Sequence, residues 1–219
     1  MLKWCMNFFE LLIFDLDGTL IDSRYDIAKA VNLTFRDLGL PEKPPEVIYG
    51  YVGDGVRRLI QRAVEDTDPA LLKRSLQVFN GHYLSHLLDE TRFYPNIEAM
   101  LNHFQEKKKA VVTNKPIHYT TKIMTGLNAD RYFDLILGGE PVVNLKPHPE
   151  MILKTLEVLK VFPKNAVMIG DSVSDIHAAR AAGVQVCAVG YGLGDVRGLR
   201  AALPDFFADT VSDLKGLFS

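Results

Sequence analysis

Residues 11–20 read LLIFDLDGTL, and this stretch decides the fold class. Its apolar run ends in two acidic residues and Gly18, a pattern that predicts a buried strand followed by a tight loop. Similar short apolar runs recur further along the chain, at Ala110–Thr113 (AVVT), Leu135–Gly138 (LILG), Ala166–Gly170 (AVMIG) and Val184–Gly190 (VQVCAVG). Near-continuous apolar strands are typical of a parallel sheet that is covered on both faces.

Segments with a helical period lie between these runs. Their apolar positions are Ile97, Met100, Leu101 and Phe104, then Ile152, Leu153, Leu156 and Leu159, then Ile176, Ala179 and Ala182. Because strand and helix alternate, the sequence predicts an α/β fold with a doubly wound, mostly parallel, Rossmann-like sheet. Such sheets bind their ligands at the carboxyl ends of the strands.

The stretch from about Asp22 to Thr91 breaks the alternation, because it has helical periodicity and no convincing strand. A Pro-rich break at residues 41–45 separates two sets of helical positions, one near Ile27 and one near Leu59. We therefore expect residues 1–20 and 92–219 to form the α/β core. Residues 21–91 are expected to form a helical domain inserted over the carboxyl end of the first strand.

Composition excludes several classes of protein. The 219 residues carry 25 Lys and Arg against 27 Asp and Glu. The chain therefore lacks the surplus of basic residues that would indicate a nucleic acid or an anionic membrane as partner. The two cysteines, Cys5 and Cys187, form no CxxC pair, which argues against a disulfide framework and favours a reducing, cytoplasmic location. The opening MLKWCMNFFELLIF is interrupted by Asn7 and Glu10, and we interpret it as a lead-in to the first strand rather than a signal peptide.

Polar residues follow several of the predicted strands. Asp15 and Asp17 leave the first strand, and two such carboxylates can divide the roles of nucleophile and proton donor. Taken alone, Asp-Gly-Thr is equally typical of a turn. Asp171 and Asp175 are spaced to share an oxygen-rich cation, for which Mg²⁺ is the natural choice, although Asp171 or Ser172 could simply cap the next helix.

The segments FDLDGTL, VVTNK, NLKPHPE and IGDSVSD occur in this order, and together they resemble the four motifs of the haloacid dehalogenase-like superfamily of phosphotransferases. The resemblance covers essentially the whole chain. The resemblance implies that Asp15 is the nucleophile and that Asp17 is the general acid and then the base. It also implies that Thr113 and the Asn114 amide bind the phosphoryl group and that Lys146 neutralises its charge. Mg²⁺ would be bound by Asp15, the Asp17 carbonyl and Asp171, with Asp175 in support.

Within the superfamily, the helical insertion resembles a cap that closes over the site. The segments YVGDGVRRLIQRAV, VVTNKP and AVGYGLG resemble the phosphoglycolate phosphatase branch, although Asn96 stands where relatives commonly have Gly. We therefore expect a Mg²⁺-dependent phosphatase acting on a small phosphorylated metabolite, with 2-phosphoglycolate as the leading substrate. Arg57 and Arg58 in the insertion could bind a substrate carboxylate, but adjacent arginines on a helix are more often solvated.

Alternatives remain open at this point. A sugar-phosphate mutase, a nucleotidase or a pyrophosphatase would use the same motifs. A dehalogenase fits less well because Asp17 is present, and a phospho-accepting signalling domain would need only about 120 residues and no insertion. No membrane or nucleic-acid partner is expected, and the chain is expected to be a monomer or homodimer. The run from Lys107 to Lys109 is interpreted as a solvated helix end.

Overall fold

The structure is a computed structural model that describes residues 9–139 and 144–219. Its strands are β1 (Leu11–Phe14), β2 (Ile21–Asp22), β3 (Arg92–Phe93), β4 (Lys108–Val112), β5 (Leu135–Leu137), β6 (Ala166–Gly170), β7 (Gln185–Val189) and β8 (Phe206–Ala208). Its helices are α1 (Arg24–Leu38), α2 (Pro45–Tyr49), α3 (Val56–Val64), α4 (Pro69–Ser85), α5 (Ile97–His103), α6 (Ile117–Gly126), α7 (Glu150–Leu159), α8 (Val173–Ala181), α9 (Val196–Ala201) and α10 (Asp213–Phe218). Cys5 and most of the predicted lead-in lie outside the described residues.

Six strands form one parallel sheet in the order β5-β4-β1-β6-β7-β8. The chain runs outward from β1 through β4 and β5, then returns to the other side of β1 for β6, β7 and β8. This order confirms the predicted α/β fold. It also places the topological switch point beside β1, where doubly wound sheets open a crevice at the carboxyl ends of their strands.

The apolar runs of β1, β4, β6 and β7 are buried because both faces of the sheet are covered, whereas β5 at the edge is half-buried. Alternate side chains of β1 enter different apolar clusters: Leu12 and Phe14 pack on one face, and Leu11 and Ile13 pack on the other. All four side chains are fully buried. Cys187 is likewise buried within β7.

Helices α1 to α4 lie between β2 and β3, which pair as a short antiparallel ribbon. The buried Asp26 carboxylate of α1 accepts hydrogen bonds from the backbone amides of Glu90 and Thr91 and from the Thr91 hydroxyl, at 2.7–3.0 Å. These contacts join the beginning of the helical segment, in α1, to its end, just before β3. One apolar cluster runs from the sheet into the helices, since Phe14 of β1 shares it with Phe35 and Phe79.

Some elements differ from the sequence-based predictions. No strand was predicted at β8, whose three residues are too few to display a period. No helix was predicted at α6, where threonine, histidine and tyrosine lower the helical propensity. The interpretation of residues 107–109 as a solvated helix end is wrong for Lys108 and Lys109, because both lie in β4. Lys109 is also buried, and its Nζ donates to the carbonyls of Phe104 and Lys107.

None of the helices in the two described ranges has the length and apolar content needed to cross a membrane.

Candidate active site

The polar residues predicted from the sequence converge at one edge of the sheet. Asp15 follows β1, Thr113 and Asn114 follow β4, and Asp171 follows β6. These three strands are neighbours in the sheet, so their carboxyl ends bring the side chains into one site. All four residues are at least 95% buried. Such burial favours strong electrostatic interactions, because little water is present to screen them.

Lys146 lies at the centre of this site and contacts two carboxylates. Its Nζ is 2.8 Å from Asp15 Oδ1 and 2.6 Å from Asp175 Oδ1, and it also donates to the carbonyl of Val112 at 2.9 Å. Burial acts to lower the pKa of Lys146, but the attraction of Asp15 and Asp175 outweighs burial and raises the pKa above its usual value. The charged form of Lys146 is therefore favoured, and its ammonium group is held against Asp15.

Asp15, Asp171 and Asp175 form a buried carboxylate cluster in which one oxygen from each lies within 4.8 Å of the others. Burial raises the pKa of Asp171 to about 8, with further upward contributions from Asp15 and Asp175. Burial also raises the pKa of Asp15 to about 6, although Lys146 opposes this shift. Three carboxylates face one lysine, so the cluster carries uncompensated negative charge. An oxygen-rich, negatively charged set of this kind fits Mg²⁺.

The backbone around Asp171 is shaped to its carboxylate. Asp171 Oδ2 accepts hydrogen bonds from the amides of Leu193 at 2.8 Å and Gly194 at 3.2 Å. Gly18 has a φ of +84°, and a Cβ there would lie 2.0 Å from Asp171 Oδ2. Only glycine therefore allows the loop after β1 to approach Asp171 so closely.

Asp175 occupies the first turn of α8 and has both carboxylate oxygens engaged. Its Oδ1 accepts from Lys146, and its Oδ2 accepts from the amide and hydroxyl of Ser172 at 3.0 and 2.6 Å. The Ser172 hydroxyl in turn accepts from the Asp175 amide, which completes a capping box. Ser172 thus caps the helix, as one alternative proposed. Asp175 therefore holds the ammonium group of Lys146 in place beside the other carboxylates of the cluster.

Asp17 is held by Lys115 and Ser23, to which the sequence analysis assigned no role in the site. Lys115 Nζ lies 2.9 Å from Asp17 Oδ1 and 3.0 Å from Oδ2, and the Ser23 hydroxyl donates to Oδ1. Lys115 Nζ also lies 4.8 Å from the ring centroid of Tyr83 on α4. The position of Lys115 directly after VVTN was the feature of the sequence that could have indicated a place in the site. Sequence alone does not show that this lysine contacts a carboxylate 98 positions away.

Asn114 connects three parts of the site through its side chain. Its Nδ2 donates to the carbonyls of Lys146 at 3.0 Å and Gly53 at 3.1 Å, and its Oδ1 accepts from the Lys146 amide at 2.8 Å. The hydroxyl of Thr113 accepts from the Lys115 amide at 3.2 Å. The loop after β4 therefore positions both lysines of the site.

A pocket opens above Asp15 and Asp17, beneath the helical segment. Thr113, Lys115 and Pro116 line it from the sheet side, and its remaining walls are mostly apolar residues of the helical segment, Ile27, Val52, Val56, Leu59, Phe79 and Tyr83. The cavity has a volume of about 40 Å³. The pocket accordingly suits a small ligand with one end at Asp15.

Arg57 and Arg58 of α3 lie outside this pocket. Both are exposed, and neither lines the pocket that contains Asp15 and Asp17. They line a neighbouring groove that also includes Asn114 and Lys146. Their predicted contact with substrate stays a prediction.

The chain is similar to known proteins along nearly its whole length. The profile of the family described as "Haloacid dehalogenase-like hydrolase" matches residues 12–189. A phosphoglycolate phosphatase of Aquifex aeolicus is 39% identical over 94% of this chain and 94% of its own, and one of Colwellia psychrerythraea is 36% identical over 94% and 95%. The crystal structure of a predicted phosphoglycolate phosphatase from Haemophilus somnus superposes with a TM-score of 0.90 at 32% identity, covering 95% of this chain and 97% of that one. These matches confirm the resemblance inferred from the four motifs.

Proposed function

This chain belongs to the haloacid dehalogenase-like hydrolase family, and from that premise we propose that it hydrolyses 2-phosphoglycolate through an aspartyl-phosphate intermediate. The observation that carries the proposal is the position of Asp15. It leaves the central strand β1, it is buried, and its carboxylate lies 2.8 Å from Lys146 Nζ. The relatives named phosphoglycolate phosphatase, at 36–39% identity, support the choice of substrate.

In the first step, a carboxylate oxygen of Asp15 forms a bond to phosphorus while the bond between phosphorus and the ester oxygen breaks. Asp17 donates a proton to the departing alcohol. In the second step, Asp17 takes a proton from water as the water oxygen attacks phosphorus, and the bond to Asp15 breaks. The sum of the steps is ester plus water giving alcohol plus inorganic phosphate.

The attack of a carboxylate on a phosphate dianion brings like charges together, and the site contains groups that reduce this repulsion. Lys146 contacts Asp15 directly and would neutralise the transferring phosphoryl group. The Thr113 hydroxyl and the Asn114 amide, at the end of β4, would hold its equatorial oxygens so that Asp15 attacks phosphorus in line with the leaving oxygen. Positioning and charge neutralisation are the main requirements of phosphoryl transfer.

Asp15 and Asp171 would hold Mg²⁺ together with the main-chain carbonyl of Asp17, and Asp175 would support them through Lys146 and Ser172. When bound, Mg²⁺ supplies positive charge to the phosphoryl oxygens and offsets the charge of the carboxylate cluster. The uncompensated charge of the cluster and the raised pKa of Asp171 support this assignment.

We further propose that residues 21–91 act as a cap domain that excludes water and selects the substrate. The apolar walls that α1, α3 and α4 contribute to the pocket support this role, as does the small volume left for the leaving group. A cytoplasmic location and a monomeric or homodimeric state remain predictions from the sequence.

The test is phosphate release from 2-phosphoglycolate, hexose phosphates, nucleoside monophosphates, p-nitrophenyl phosphate and pyrophosphate, with and without Mg²⁺. Asp15→Asn is the matched control, because it removes the nucleophile with little change in size. We expect Mg²⁺-dependent turnover with kcat/KM far higher for 2-phosphoglycolate, and none in the variant. Broad, weak release would discard the substrate, and isomerised sugar phosphate without net phosphate release would instead indicate a mutase.

A further inference from the structure

Lys115 is a cation that the steps described above do not use. Among the residues that the structure describes, it is the only lysine or arginine that lines the pocket above Asp15 and Asp17. Lys146 contacts Asp15 but does not line this pocket. A second negative group on a substrate would therefore meet Lys115 first.

The backbone of Lys115 is fixed, whereas its ammonium group faces the pocket. The amide donates to the Thr113 hydroxyl, and the carbonyl accepts from the amide of Gly139 at 2.9 Å. The ammonium group lies between the carboxylate of Asp17 and the ring of Tyr83. Lysine has a long side chain with rotatable bonds, so the ammonium group can change partner without moving the loop.

A second observation in the same pocket also points to a ligand. The hydroxyl of Tyr83 is buried and has no hydrogen-bond partner among the described residues, although its side chain is 2% exposed and lines the pocket. A buried hydroxyl without a partner is unfavourable and rare in folded proteins. An acceptor group on a bound ligand would satisfy it.

We propose that Lys115, assisted by the Tyr83 hydroxyl, recognises a carboxylate on the leaving group of the substrate. This inference rests on the proposed function. Asp17 would contact the ester oxygen, and in 2-phosphoglycolate a single methylene joins that oxygen to the carboxylate. A leaving group held at Asp17 therefore places its carboxylate beside the ammonium group that now contacts Asp17. Lys115 then exchanges the carboxylate of Asp17 for that of the substrate.

The rest of the pocket makes this contact selective. Ile27, Leu59 and Phe79 offer no hydrogen bonds, so a carboxylate that entered without a cationic partner would lose its hydration without compensation. In such surroundings an ion pair is stronger than in water. The exposed pair Arg57 and Arg58 lines the neighbouring groove rather than this pocket.

The test compares two esters that differ only in the group beside Lys115: 2-phosphoglycolate and its amide, in which the carboxylate is replaced by a neutral carboxamide. For each, kcat/KM is measured with the Mg²⁺-loaded enzyme, and the ratio of acid to amide is the readout. A loss of Asp17 positioning lowers both values and leaves the ratio unchanged. The ratio therefore isolates recognition of the carboxylate.

We expect the native enzyme to favour the acid by about 10- to 100-fold, the range of a hydrogen-bonded charge. Lys115→Met should reduce the ratio to about threefold or less, Tyr83→Phe should reduce it by a smaller factor, and Lys115→Arg should retain part of it. Lys122→Met is the matched control, because Lys122 is an exposed lysine of α6, and it should leave the ratio unchanged.

The outcomes separate this inference from the proposed function. Equal hydrolysis of the acid and the amide by the native enzyme would overturn the role of Lys115 while the phosphatase assignment stands, and this comparison needs no variant that might misfold. A ratio that survives Lys115→Met in a folded variant would also overturn it. Release of phosphate from neither ester, nor from any other monoester, would overturn the proposed function itself.

Discussion

Asn114 and Lys146 are joined by reciprocal hydrogen bonds, in which the Asn114 amide group donates to the Lys146 carbonyl and its oxygen accepts from the Lys146 amide. The two residues lie 32 positions apart in the sequence. This pairing fixes the backbone that carries the ammonium group of Lys146. The side chain of Asn114 thus has a positioning role in addition to the phosphoryl contact expected of its amide.

Asn114→Ala should lower kcat/KM by about 10- to 100-fold, because a small displacement of a catalytic group has a large effect on rate. The loss should appear mainly in kcat and should be smaller than that of Asp15→Asn. Steady-state kinetics with 2-phosphoglycolate measures it, with the exposed Asn102→Ala as control. An Asn114→Ala enzyme with kcat close to the native value would contradict the positioning role.

Lys146→Ala should reduce kcat by about 100-fold or more, since it removes the cation that faces both Asp15 and the phosphoryl group. It should also reduce the free energy of unfolding in the absence of metal, because the buried Asp15 and Asp175 lose their counter-charge. Phosphate release and urea denaturation measure the two effects. The assignment fails if kcat is unchanged in the variant, and Lys122→Ala should behave as the native enzyme does.

The metal-free protein should lose stability as pH rises from about 4 to about 8. The pKa of Asp171 is raised from 3.8 to about 8, and that of Asp15 is raised to about 6. In this window the folded state holds more protons than the unfolded state, so each rise in pH favours unfolding. Thermal denaturation at several pH values, with the metal chelated, measures this slope.

Mg²⁺ should reverse this trend and raise Tm more at pH 8 than at pH 5, because it binds the ionised carboxylates. Asp171→Asn should flatten the slope of the metal-free protein and abolish most of the Mg²⁺-dependent increase in Tm. An increase in Tm that is the same in the variant would show that the ion binds elsewhere.

Asp26→Ala should lower the free energy of unfolding by about 3 kcal/mol, because it leaves the amide of Glu90 and the buried amide of Thr91 without their acceptor. Urea denaturation measures the change. The control is Asp209→Ala, which removes an exposed ion pair with Arg200 and should cost less than about 1 kcal/mol. Similar losses in the two variants would argue against the anchoring role of Asp26.

The sequence predicts the central strands and the residues at their ends because both have local signatures. The apolar runs that became β1, β4, β5, β6 and β7 are visible within a few residues. Asp15, Thr113, Asn114 and Asp171 follow three of these runs directly, so a parallel sheet is enough to bring them together. Lys146 does not follow a strand, and its place in the prediction came from the resemblance of NLKPHPE to a family motif.

Tertiary contacts account for what the sequence did not predict. Lys115 and Lys109 are ordinary lysines by sequence, and their burial depends on partners supplied by the fold: Asp17 for the first, and two backbone carbonyls for the second. Likewise, the spacing of Asp171 and Asp175 indicates proximity. It does not show that Lys146 and Ser172 occupy both oxygens of Asp175.

The apolar cluster that joins Phe14 of the sheet to Phe35 and Phe79 of the helical segment has a consequence for how the molecule unfolds. Because the two parts share one core, neither can expose its apolar surface without exposing that of the other. Heat should therefore melt the chain in a single cooperative transition, with equal calorimetric and van't Hoff enthalpies, rather than releasing the helices first.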